Sequence, residues 1–147
     1  MFVAGIYIEK NIEIHRLFST FTSVQEIHPY SVDEAFLDIT ESLDFFFPKI
    51  KDKREQIEKM AEMIQKAIFD QTGLYSTAGM SNCNPLLAKL AMDNYAKSAK
   101  SMRALINYED VPNMLWTMKN MTDFWGFPQQ ASAKDAQNVP FVPCLQD

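Results

Sequence analysis

The chain has 147 residues, 47% of them hydrophobic and 22% charged, a composition that suits a soluble globular domain with one real core. No apolar run approaches the about 20 residues that a membrane span needs, and MFVAGIYIEKNIEIH lacks the basic start and long apolar centre of a signal peptide. The net charge of −5 argues against this chain alone gripping nucleic acid strongly, because phosphate binding needs a basic surface.

From the N-terminal side, YIEKNIEIHRLFSTF places Ile8, Ile12, Leu17 and Phe18 at helical spacing and predicts an amphipathic helix. VQEIHPYSV and AFLDIT follow as two short strands, the first irregular at Pro29. They can pair as a hairpin that turns near Asp33 and Glu34. The run Phe45 to Phe47 is expected at an edge packed under a loop. From Arg54 to Gln71, the residues Ile57, Met60, Ala61, Ile64, Ala67 and Ile68 form a helical core stripe, and Gly73 stands where a glycine cap belongs. LYSTAGM predicts a buried strand. NPLLAKLAMDNYAK predicts a helix with Asn84 as N-cap and Pro85 in its first turn. MRALINY predicts a strand and VPNMLWTM a short helix. Trp116 and Trp125 are expected to pack, and Met60, Met63 and Met80 to fill the core. The order predicts an α+β fold, a mixed sheet with helices on one face. After Trp125 the chain turns rich in proline and small polar residues and predicts a loose tail. Cys83 and Cys144 make neither a disulfide framework nor a metal-spaced set, and two histidines make zinc unexpected. A reducing cytoplasm is the expected setting.

YSVDEAFLDIT, residues 30–40, sets Asp33 beside Glu34 in an apolar stretch, with Asp38 four positions on. Burying adjacent carboxylates costs several kcal/mol each, about the cost of any uncompensated charge. On a straight strand they would point to opposite faces, so both reach one place only where the backbone turns, as between Ser31 and Glu34. Taken alone, the pair fits exposed turn residues. It also fits a site for a hard divalent cation, and two such ions about 4 Å apart can drive in-line phosphoryl transfer.

The order of residues goes further. YSVDEAFLDIT resembles the second acidic motif of the Y-family DNA polymerases, the UmuC/DinB type of translesion enzyme, with Ser31, Asp33, Glu34, Ala35, Phe36, Leu37 and Asp38 in place. TGLYSTAGMSNCNPLLAKLAMDNYAK resembles a second family block through Gly79, Ser81, Leu87, Ala88, Lys89, Leu90, Ala91, Asp93 and Lys97. MTDFWGF is similar to the junction of palm and thumb. The wording looks closest to UmuC-like proteins of Gram-positive bacteria. The resemblance implies a polymerase palm of ferredoxin-like type and template-directed nucleotidyl transfer in error-prone translesion repair, as in the SOS response to damaged DNA. It implies that Asp33 and Glu34 are catalytic and bind Mg²⁺ or Mn²⁺, that Ser31 shapes their turn, and that Lys97 contacts the triphosphate of the incoming nucleotide. The implied partners are primer–template DNA and a dNTP, with a sliding clamp as a further one and no membrane. Asp38 and Asp93 are expected in structural roles, and Lys89 on a solvated or phosphate-near face.

The family's first acidic strand and its fingers have no counterpart in this sequence, so a palm incomplete at both ends is expected. The expected division is a partial palm over 1–108, the start of a thumb over 109–127 and an irregular tail over 128–147, of the kind a frameshift leaves. This chain alone is expected to be inactive as an enzyme. The alternative reading is a non-catalytic palm remnant or interaction module that binds DNA, nucleotide or a polymerase partner.

Overall fold

A computed structural model describes residues 3–118. The elements are α1 (Val3–Phe18), β1 (Ile27–Pro29), β2 (Ala35–Leu37), α2 (Thr40–Phe46), α3 (Lys53–Thr72), β3 (Ala78–Met80), α4 (Pro85–Asn94), β4 (Arg103–Leu105) and α5 (Val111–Met114), with 3-10 turns at Val24–Glu26, Ala96–Ser98 and Tyr108–Asp110. Helix and strand mix as an α+β chain. Among the described residues the strands form two two-stranded sheets, β1 with β2 and β3 with β4, where one mixed sheet was expected. Each strand is three residues long. The chain divides into two compact units after Thr77.

In the first unit α3 packs against α1 and α2. Its buried stripe is Ile57, Met60, Ala61 and Ile68, joined in the core by Phe21 and Leu43. Removing such side chains from water drives the packing. Local chemistry sets the ends of α3. The Asp52 carboxylate accepts the Arg54 N–H at 3.0 Å, and Gly73 takes φ 73° while its N–H reaches the Phe69 carbonyl at 2.8 Å. Ile8 and Ile12 of α1 are about half exposed, at 53% and 48%, so the predicted apolar face of that helix is not a fully buried one.

The phenylalanine run does not form an edge. Phe45 and Phe46 close α2, which begins at Thr40, immediately after the Asp38 side chain accepts the Thr40 N–H at 2.9 Å. Gln56, 1% exposed, anchors the far end of this helix. Its side-chain nitrogen lies 3.1 Å from Asp44 Oδ1, 3.1 Å from the Phe47 carbonyl and 2.9 Å from the Ile50 carbonyl. A buried amide satisfies the turn where bulk periodicity alone would have suggested a strand.

The second unit is a β–α–β turn of chain. Strands β3 and β4 are parallel, with Ala78, Gly79 and Met80 opposite Arg103, Ala104 and Leu105. Helix α4 crosses between them, its start fixed by the Asn84 side chain accepting the Leu87 N–H at 3.0 Å. Leu87, Leu90, Ala91 and Ile106 form its core. Trp116 does not pack as expected and is 72% exposed; Trp125 and the tail lie outside the described residues.

Two glycines carry different constraints. A Cβ on Gly79 would lie 2.0 Å from the Ala88 carbonyl oxygen and 2.5 Å from the Met92 nitrogen, so α4 rests directly on the strand backbone. A Cβ on Gly73 meets nothing within 4 Å, and only its left-handed backbone resists a side chain. Gly79→Ala is therefore expected to lose about 3 kcal/mol of stability by overpacking, and Gly73→Ala about 1 kcal/mol by backbone strain. Urea unfolding followed by circular dichroism measures both, and equal losses would contradict the close approach at Gly79.

Candidate active site

Strands β1 and β2 are antiparallel, with Ile27, His28 and Pro29 opposite Leu37, Phe36 and Ala35. The chain between Pro29 and Ala35 is a loop, and it carries Ser31, Asp33 and Glu34. The Glu34 carbonyl accepts two backbone N–H groups, Tyr30 at 2.9 Å and Ser31 at 3.1 Å, which folds the loop tightly on itself. The Ser31 hydroxyl donates to Asp33 Oδ1 at 2.9 Å. From α1, the Asn11 side-chain amide donates to the Val32 carbonyl. Tyr30 and Phe36 meet edge-on, ring centres 5.5 Å apart, at the base of the hairpin.

Asp33 is exposed and Glu34 half-buried. Placed in a turn, the two carboxylates avoid the desolvation that a core strand would impose. The turn also frees them from the alternation that would send them to opposite faces of a sheet. Carboxylates are hard oxygen donors, the type that divalent cations such as Mg²⁺ prefer. Among the described residues no set of three histidine, cysteine or acidic side chains gathers at a possible metal site.

Lys97 lies in the second unit, on the 3-10 turn after α4. It is exposed, and its ammonium donates to Asp93 Oδ1 at 2.8 Å. Lys89, one turn before Asp93, reaches the same carboxylate, 3.1 Å from Oδ2. The expectation of a solvated Lys89 is corrected here. It is 8% exposed, so the side chain that spacing placed on a solvated face is buried. Partial burial works against the charge of Asp93, yet the hydrogen bonds from Lys97 and Lys89 outweigh it and hold the carboxyl below the usual aspartate range. Asp38, whose carboxylate receives hydrogen bonds from Thr40, is also held below that range. Both act structurally, Asp38 by capping the turn into α2 and Asp93 as partner of two lysines. The lysine–aspartate spacing of four was visible in the sequence; the burial of Lys89 was not.

A sequence profile of the impB/mucB/samB family matches residues 5–93. The chain belongs to this Y-family group. The match includes Ser31, Asp33, Glu34, Lys89 and Asp93 and stops short of Lys97. The chain is 37% identical over 121 residues to the putative UV-damage repair protein UvrX of Bacillus subtilis, which covers 82% of this chain and 26% of that protein. It is 34% identical over 122 residues to DNA polymerase IV of Staphylococcus aureus strain Newman, covering 83% and 30%. It is 30% identical over 112 residues to DNA polymerase IV 2 of Halalkalibacterium halodurans, covering 76% and 25%. This Y-family chain thus spans between a quarter and a third of the length of these relatives. No helix among the described residues is long and apolar enough to cross a membrane.

The depressed carboxyl of Asp93 has a pH consequence. A group whose folded pKa is lowered contributes stability above the ordinary aspartate range and loses it as pH falls through the lowered value. Asp93→Asn is expected to cost about 1–3 kcal/mol at neutral pH, mostly by removing the carboxylate that faces buried Lys89. Exposed Lys97 contributes the least of this. Urea melts of both proteins should converge as pH drops through the acid range; a constant difference at all pH values would contradict the assignment.

Proposed function

We propose that this chain is palm-domain sequence of a Y-family DNA polymerase that repairs DNA by error-prone translesion synthesis, and that the loop of Ser31, Asp33 and Glu34 is its metal-binding site. The observation that carries this is the hairpin turn, which sets both acids on one loop with a Ser31 hydrogen bond on Asp33. The family match over the same residues supports the reading. In it, the Asp33 and Glu34 carboxylates hold Mg²⁺ or Mn²⁺, and Ser31 orients Asp33. Lys97 meets the triphosphate of the incoming nucleotide as a point charge. The bound cations would activate the attacking primer hydroxyl and neutralise charge on the leaving phosphate, as two-metal sites do. Primer–template DNA and a dNTP are the substrates, and a sliding clamp is a further partner. Residues 1–108 belong to the palm and 109–127 to the start of the thumb in this scheme.

A second reading keeps the palm fold without the chemistry, as a module that binds DNA, nucleotide or a polymerase partner. It is favoured by the lack of a third acid beside Asp33 and Glu34 among the described residues.

Mn²⁺ titration of the intact chain, read by electron paramagnetic resonance, tests the site. Asp33→Ala is expected to abolish binding, and Ser31→Ala to weaken it about tenfold through the lost orienting hydrogen bond. Unchanged Mn²⁺ affinity in both variants would remove the loop from consideration as a metal site. Primer extension in Mg²⁺ or Mn²⁺ that disappears in Asp33→Ala would support catalysis, whereas metal and DNA binding without extension would favour the module.

A further inference from the structure

We propose that Asp93 is a positioning residue that holds the Lys97 ammonium in place for a nucleoside triphosphate. The inference rests on the reading of Lys97 as the triphosphate contact. A lysine on an exposed turn is a mobile charge on a flexible stem, and orienting it on each binding event costs affinity. Here Nζ of Lys97 is already tied to Asp93 Oδ1 at 2.8 Å. An ammonium has three donors, so two remain for phosphate oxygens.

Asp93 is itself tied down. Lys89 contacts Asp93 Oδ2 at 3.1 Å from a position 8% exposed. A cation on each oxygen favours the charged form of Asp93, and the Lys89 contact opposes its swinging out with Lys97. The three side chains follow one another at intervals of four, and the strand contact at Gly79 falls on Ala88 and Met92, the residues just before Lys89 and Asp93. The row therefore transmits a fixed backbone position to an exposed charge.

Charge and orientation predict opposite outcomes, which makes the inference testable. If Asp93 acts only as a charge, removing this anion should tighten the binding of a polyanion. If it positions Lys97, removing it should weaken binding, and only when Lys97 is present. The experiment is a double-mutant cycle on the intact chain with dATP in Mg²⁺ buffer, read by calorimetry. Asp93→Asn is expected to weaken dATP binding about tenfold when Lys97 is present, the scale of an unordered lysine side chain, and less than about twofold in the Lys97→Ala background. Because Asp93→Asn strips a carboxylate from buried Lys89, the double replacement Lys89→Met/Asp93→Asn is measured alongside it. This variant removes the buried cation too and should show the same tenfold loss. In ¹⁵N-lysine spectra the Lys97 ammonium should become mobile in both variants while backbone signals persist.

Tighter binding, no change, or an equal loss with and without Lys97 would overturn the positioning role and leave the triphosphate reading standing. Absence of dATP binding by the parent chain, or full affinity in Lys97→Ala, would overturn that reading and the inference with it.

Discussion

The second unit depends on one close approach. Where a side chain would begin on Gly79, a carbonyl oxygen of α4 stands 2.0 Å away. Only the absence of a Cβ lets the helix lie on β3 at that depth. The same helix buries Leu87, Leu90 and Ala91 with Ile106, and Lys89 beside them is 8% exposed. Asp93 faces that buried cation with its carboxylate. The exposed Lys97 is the last member of a sequence of contacts that begins with a missing methyl group.

The first unit solves a different problem, the placing of two like charges side by side. Strand geometry would separate Asp33 from Glu34, and burial would penalise both. The hairpin avoids both costs by ending its ladder at Pro29 and Ala35 and carrying the acids in the connection. Pro29 has no N–H to give and suits the last rung. The backbone N–H groups of Tyr30 and Ser31 close on the Glu34 carbonyl, and the Ser31 hydroxyl adds a bond to the Asp33 carboxylate.

Much of this was legible where the determining chemistry is local. Helices α3 and α4 follow from apolar spacing with Asp52, Gly73, Asn84 and Pro85 at their ends, because caps act within four residues. The turn that carries Asp33 and Glu34 was legible too, because adjacent residues can serve one place only where a strand bends. Helix α2 was not, since Phe45 to Phe47 are residues that favour strands. Its shape comes from the Asp38 carboxylate at one end and the Gln56 amide at the other, and Gln56 lies on a different helix. The pairing of β1 with β2 as a hairpin was legible because the partners are neighbours in the chain, whereas the division into two sheets was not, because the partner of β3 lies beyond a whole helix. Lys89 was misread for a related reason: spacing shows which residues share a helix face, but not how deeply that face sinks. Trp116 is the reverse case, a large apolar ring left in water.

The loop bonds of Tyr30, Ser31 and Glu34 have an evolutionary consequence. Because the turn is closed by main-chain bonds, and Asp33 stands in solvent with one exposed hydrogen bond from Ser31, the fold places only a small demand on the identity of that side chain. Surface positions of this kind change at little thermodynamic cost. Selection for folding would purge a substitution at Gly79 and tolerate one at Asp33. Persistence of the aspartate across a lineage would therefore register continued use of its chemistry, and its drift would register retirement of the site in a protein that still folds.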